Sequence, residues 1–184
     1  CIHTKLLLEP PIIVIGHTLV FITGRTGAAV GMEIAIMQPY IVESQIIAQR
    51  VDVHFTDAES TAQCGPFALR FAPTVHPLPG YAVRVDGDAL FAYTGDSLAT
   101  HALAAWAKQA DVLLCDAPFT KQTAPSPSPH MTAEQAGELA RNAQVGALWI
   151  SHLVPGSDEQ AVLCEARKIF QDSSLVEEMA DRTV

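Results

Sequence analysis

The sequence predicts a layered α/β (α+β) fold in which helices cover at least one face of a β-sheet. Three observations carry this. From residue 66 onward the apolar pattern runs strand, hairpin, helix, strand, helix, strand, helix. Apolar residues make up 49% of the 184 residues, enough to fill a sizeable core. Charged residues make up only 17%, which argues against disorder. The length fits a single domain, residues 1–184, whose character changes near residue 50. Residues 1–50 form an atypical, apolar N-terminal segment, and the signals sharpen over residues 51–184.

In the N-terminal segment, Ile12-Ile13-Val14-Ile15 and Leu19 to Thr23 read as buried strands. Gly24 to Gly31 reads as a loop and Met32 to Met37 as a third strand. Further on, Phe67, Leu69 and Phe71 alternate with Ala68 and Arg70, as a half-buried strand should. Tyr81 to Val85 and Ala89 to Thr94 flank Asp86-Gly87-Asp88, a tight hairpin because glycine tolerates positive φ. Leu98 to Gln109 is Ala-rich and reads as a helix, and Val112-Leu113-Leu114-Cys115 as a fully apolar strand. The prolines of Ser126-Pro127-Ser128-Pro129 mark a loop. Thr132 to Ala143 reads as an amphipathic helix with Ala136, Leu139, Ala140 and Ala143 on one face, and Thr132 with Gln135 forms a capping box. Ala147 to Ile150 reads as a strand and Asp158 to Phe170 as a helix with Val162, Ala166 and Ile169 aligned.

The balance of charge restricts the partners. A formal net charge of −9 excludes a broad basic footprint for long nucleic acid. A small anionic substrate remains open, since a metal ion can supply local positive charge. Cys1, Cys64, Cys115 and Cys164 are widely spread and form no CxxC pair, the pattern of reduced, mostly buried thiols in a cytoplasmic protein. The apolar run Pro11 to Thr23 contains Gly16 and His17 and falls short of the ~18 residues of a membrane helix, so no membrane association is expected.

Polar residues stand where strands end. His76 follows the Phe67–Phe71 strand, Asp96 follows the second hairpin strand, and His152 follows the Ala147–Ile150 strand. Loops projecting from rigid strands position ligands well. Imidazole and carboxylate both bind first-row metals, and a carboxylate can bridge two ions that share a nucleophilic hydroxide. Taken singly, a histidine after a strand or an aspartate after a glycine is more often a hydrogen-bonded or turn residue. His130 lies two residues before the helix cap Thr132, where free N–H groups favour an anion and an imidazole could protonate a leaving group.

Together these residues form an ordered series: Gly65-Pro66-Phe67 through Thr-Val-His76-Pro, Tyr-Thr-Gly-Asp96-Ser, Ala-Asp-Val-Leu-Leu-Cys-Asp116-Ala, His130-Met-Thr-Ala-Glu-Gln-Ala, and Ser-His152-Leu-Val-Pro. Over residues 51–173 the series resembles the metallo-β-lactamase superfamily, in the branch similar to ribonuclease Z and related phosphodiesterases. The resemblance implies an αββα sandwich, of which residues 51–184 form the C-terminal half, with a dinuclear centre, usually zinc, at one sheet edge. It implies that His76 binds one metal, Asp96 bridges the two, and His152 binds the other, with manganese as an alternative ion. It also implies that His130 acts beside the scissile phosphate, on a small anionic substrate or an RNA 3′ end.

One departure matters. The family's His-x-His-x-Asp-His loop is missing, and the upstream histidines His3, His17 and His54 form no such cluster. Each ion would then keep one imidazole and a share of Asp96, fewer than the three protein ligands of catalytic zinc. Three readings therefore stand at this level: a metal-dependent phosphodiester hydrolase, a non-catalytic binding or assembly domain of the same fold, and an ester or thioester hydrolase. A homodimer built through the apolar N-terminal segment is compatible with any of them.

Overall fold

The computed structural model describes residues 12–15, 18–24, 32–37, 61–64, 67–78, 80–176 and 181–184. The strands are β1 Ile12–Ile15, β2 Thr18–Gly24, β3 Met32–Met37, β4 Thr61–Cys64, β5 Phe67–Pro73, β6 Tyr81–Asp86, β7 Leu90–Tyr93, β8 Val112–Asp116, β9 Ala147–Ser151, β10 Ser173–Leu175 and β11 Asp181–Thr183. The helices are α1 His101–Trp106, α2 Ala133–Ala143 and α3 Glu159–Ile169.

A seven-stranded sheet runs in the order β10-β9-β8-β7-β6-β5-β4. Strands β7 to β10 are mutually parallel, and β4 to β7 pair antiparallel. Each parallel step is bridged by one helix, the connection that parallel neighbours require. The central strands bury both faces, which is why β8 reads as an unbroken apolar run. Leu113, Cys115, Leu148 and Ile150 face the helices and pack with Leu139, Ala140 and Val162. Val83, Val85, Phe91, Tyr93, Leu114 and Trp149 build a second core on the opposite face. A four-stranded sheet, β1-β2-β3-β11, has its β1 beside β6, and Val184 after β11 packs on the second core.

The sequence-predicted elements recur with small changes of extent, and α2 carries the expected Thr132–Gln135 capping box. The expected helix Leu98–Gln109 is shorter. Thr100 is extended, and its hydroxyl accepts the Leu103 N–H at 3.0 Å, which starts α1 there. Leu98 donates its N–H to the Val75 carbonyl at 3.0 Å, so a loop contact outcompetes helix propensity. At the other end Gln109 adopts φ 58° and turns the chain into β8. The glycine loop at residues 24–31 lies, past Gly24, outside the described residues. Cys115 is free and buried, while Cys164 is free and exposed. No helix among the described residues is long and apolar enough to cross a membrane.

Candidate metal centre

Strands β7, β8 and β9 are parallel, so their C-terminal ends share one edge, and β6 begins and β5 ends at that same edge. Four loops leave this edge, carrying His76, Asp96, His130 and His152, with Asp116 as the last residue of β8. Crevices at the carboxyl ends of parallel strands are where such sheets bind ligands.

Hydrogen bonds fix the loops to one another. Ser97, fully buried, accepts the Val75 N–H at 3.1 Å and so joins the Asp96 loop to the His76 loop. The Thr94 hydroxyl donates to the Gly95 carbonyl at 2.9 Å and accepts the Asp116 N–H at 3.3 Å, joining the ends of β7 and β8. Gly95 has φ 60°, and a Cβ there would lie 2.7 Å from the Tyr81 carbonyl oxygen. The Ser151 hydroxyl donates to the Cys115 carbonyl at 3.3 Å and joins β9 to β8. The Ala133 N–H reaches the Phe119 carbonyl at 2.8 Å, which brings His130 and the start of α2 back over Asp116.

The side chains converge. His130 Nδ1 meets Asp116 Oδ2 at 2.5 Å, and the Asp116 side chain is fully buried. His130 stacks on His152 with ring centroids 5.0 Å apart, and it also lies beside His76 at 5.3 Å and Phe119 at 6.5 Å. His152 Nδ1 stands 3.9 Å from Asp96 Oδ1 and 3.9 Å from Asp116 Oδ1, beyond hydrogen-bond reach of either. All three atoms are buried and lack a hydrogen-bond partner. Burial raises the Asp116 carboxyl above its ordinary range, against the opposing hydrogen bond from His130. The hydrogen bond to Asp116 raises His130 above its ordinary value. The pair therefore retains a proton over a wider pH range than either group alone.

Buried polar atoms without a protein partner are suited to an ion or a water. Two carboxylate oxygens and an imidazole nitrogen are a donor set suited to a divalent cation. The donor chemistry of these atoms therefore fits a divalent cation. Donor atoms of Asp116, His130 and His152 also lie within 4.8 Å of one another. That trio differs from the sequence-predicted set of His76, Asp96 and His152 by two members. His76 Nδ1 accepts the Leu78 N–H at 3.2 Å, which leaves Nε2 as its remaining donor atom. His3, His17 and His54 lie outside the described residues.

Sequence reasoning assigned no role to Asp116. Its signals are its place in the ordered motif series and its position as a lone acid closing the apolar run Val112–Cys115. Its partner His130 lies 14 residues further on, and only the fold joins them.

A family model describing the beta-lactamase superfamily domain matches residues 22–153, well over half of the chain. The chain belongs to the metallo-β-lactamase superfamily. The match starts at residue 22, so β3 and the last three residues of β2 belong to the superfamily domain, although they carry no motif. A probable metallo-hydrolase, YhfI, from Bacillus subtilis is 32% identical over 107 residues, covering 58% of this chain and 44% of that protein. A ribonuclease Z from Archaeoglobus fulgidus is 36% identical over 90 residues, covering 47% of this chain and 29% of the relative. The crystal structure of YhfI superposes with a TM-score of 0.67 at 23% identity, covering 78% of this chain and 62% of that one. The superfamily chain described here thus spans about half the length of the curated relatives it matches.

Proposed function

We propose that this superfamily member is a metal-dependent hydrolase of phosphodiesters, similar in chemistry to the ribonuclease Z branch. The observation that carries the reading is the meeting of Asp96, Asp116 and His152 through three buried, unpartnered atoms, with His130 beside them. The metallo-hydrolase and ribonuclease Z relatives support it. When bound, a divalent ion, zinc or manganese, supplies positive charge to phosphoryl oxygens and lowers the pKa of water. His76, Asp96 and His152 are the expected holders, and Asp116 adds a carboxylate to them.

The protein's own groups do the proton work. Asp116 Oδ2 holds His130 by Nδ1, which fixes the ring and leaves Nε2 for the substrate. Because that hydrogen bond favours the charged imidazole, His130 holds its proton to higher pH than an ordinary histidine. It gives that proton to the departing ester oxygen as the P–O ester bond breaks, while water forms the new bond to phosphorus and releases its own proton to solvent, so charge does not build up on the alkoxide. His130 and Asp96 are thus the residues in direct catalytic roles, with Asp116 as the group that orients His130.

The substrate expected on this reading is a small anionic phosphodiester. Residues 74–80, 94–100, 117–132 and 152–158 contain one lysine or arginine, Lys121, and it pairs with Glu134 at 2.9 Å. Val75, Leu78 and Val154 are exposed on the loops beside His76 and His152. Such a rim suits a substrate with one charged group and a less polar body, and lacks the cations that hold an RNA backbone.

The test is hydrolysis of bis(p-nitrophenyl) phosphate beside p-nitrophenyl acetate, with zinc or manganese and with chelator. Phosphodiester turnover abolished by chelator is expected. Turnover of the acetate alone would move the reading to ester hydrolysis. One competing reading is a non-catalytic binding domain of the same fold. That reading predicts unchanged melting in chelator and no turnover of either substrate.

A further inference from the structure

We infer that Phe119 is a specificity residue of this site, holding a planar aromatic leaving group against its ring while His130 protonates the oxygen that departs. This rests on reading the site as a phosphodiester hydrolase, and it names the substrate class: phosphodiesters with an uncharged aryl group on the departing side. Phe119 stands in the loop after β8, where its carbonyl accepts the Ala133 N–H at 2.8 Å and its backbone pairs with Thr132. Those contacts hold it at the start of α2, next to the proton donor. Phe67, Phe71 and Phe91 pack in the second core and Phe170 packs on the first. Phe119 belongs to neither core; it is half-buried and lies beside His130, with ring centroids 6.5 Å apart. A large apolar ring kept half-exposed at a polar site has contact area to offer a ligand.

The neighbours of His130 differ in chemistry. His152 at 5.0 Å and His76 at 5.3 Å carry nitrogens expected to hold a metal, whereas Phe119 carries no donor atom. The proton leaves His130 through Nε2, because Nδ1 is held by Asp116 Oδ2. The oxygen that receives it comes within about 3 Å of Nε2. Attacking water and departing oxygen stand on opposite sides of phosphorus, so the departing arm is the one at the His130 end of the site. The P–O ester bond breaks, its electron pair stays on the departing oxygen, and that oxygen takes the proton of His130. Water bonds to phosphorus and releases its own proton to solvent. The departing arm therefore leaves as a neutral hydroxyl compound, which an apolar ring can hold without a countercharge. Residues 117–132 carry one cation, Lys121, and it is paired with Glu134 at 2.9 Å, so a charged leaving group finds no free partner there.

The probes are phenylphosphonate and cyclohexylphosphonate, alike in charge and close in size but different in planarity. Each is titrated calorimetrically into the zinc-loaded chain, and turnover of bis(p-nitrophenyl) phosphate is measured beside it. The wild type should bind phenylphosphonate about threefold to tenfold more tightly, the worth of one aromatic pair. Phe119→Tyr should keep that preference. Phe119→Leu should bring the two affinities within about twofold of each other. Phe119→Met should do the same, and serves as the measure should Phe119→Leu fail to fold. Melting in chelator verifies the fold of each variant. A ring that only steadied His130 would, on removal, lower kcat and leave the affinity ratio unchanged, and that result overturns the proposal. Equal affinities in the wild type, or binding of neither phosphonate, overturn it too, and the hydrolase reading stands as long as the phosphodiester is turned over. Absence of both binding and turnover overturns the two readings together.

Discussion

His152 sits at φ 66°, in the left-handed region that residues with a side chain seldom occupy. The strand β9 ends one residue earlier, and the turn at His152 brings Nδ1 to within 3.9 Å of two aspartates. Such strain is retained where the side chain has work to do. Asparagine tolerates this conformation better than histidine. His152→Asn should therefore melt, in chelator, at or above the wild-type temperature, while zinc affinity falls. A clear drop in chelator melting would mean that the histidine serves the fold. His130 offers a second measurement at this scale. Its pKa is raised above the ordinary 6.5, chiefly by the hydrogen bond to Asp116, so the folded state binds the proton more tightly than the unfolded chain. The stabilisation is complete below pH 6.5 and is lost as the pH climbs through the raised value. Asp116 is shifted in the same direction. The melting difference between the wild type and His130→Gln, both in chelator, should be largest below pH 6.5 and shrink above it. A difference that grows with pH would mean that the pair holds no extra proton.

Helices α2 and α3 must pack closely for the His130 end of α2 to reach Asp116. Glu165 on α3 accepts the Lys121 N–H at 2.8 Å and the Glu134 N–H at 3.2 Å, clamping the Asp116 loop and the first turn of α2 together. Glu165→Ala should cost about 1–2 kcal/mol, the range for lost helix-end partners, and Glu165→Gln much less. Further along α2, Gly137 decides the spacing. Alanine is the better helix former by about 1 kcal/mol. A Cβ at Gly137 would, however, lie 2.9 Å from Ile169 Cβ and 3.1 Å from the Ala166 carbonyl oxygen, and neither atom can swing away. Overpacking of this kind costs about 1–3 kcal/mol, so Gly137→Ala should be net destabilising in urea unfolding. A net gain would show that the two helices can part. These elements were legible because α2 and α3 have long apolar faces and side-chain caps at Thr132 and Asp158. Strand β10 was not legible, being three residues of Ser-Ser-Leu ordered by pairing with β9. The same holds for β11, whose pairing partner β3 lies far off in sequence. In the site, His76, Asp96 and His152 were visible as polar residues closing apolar runs. Asp116 closed such a run too, but its meaning depends on His130, and that contact exists only once the loop after β8 folds back on α2.

The whole molecule brings the five polar side chains to one sheet edge by stacking parallel strands, and it does so on a strongly acidic chain. Twenty aspartates and glutamates face eleven lysines and arginines, for a net charge of −9. The described arginines with ion pairs, Arg70 and Arg84, meet Asp86 at the end of β6 opposite the site. A protein that grips a nucleic-acid backbone through six to ten phosphates loses about 10³–10⁵ in affinity between 50 and 200 mM salt, because each contact releases counterions. The acidic charge balance here offers no such set of contacts. For a substrate with one phosphodiester, a single charge meets the centre and the salt effect is small. With bis(p-nitrophenyl) phosphate, kcat/KM should change by less than about threefold over that salt range. Added single-stranded RNA should compete weakly at either salt concentration. If instead RNA inhibits strongly at 50 mM salt and is released at 200 mM, the chain grips a polyanion after all. The preference for a small substrate would then be wrong, although the metal centre would remain.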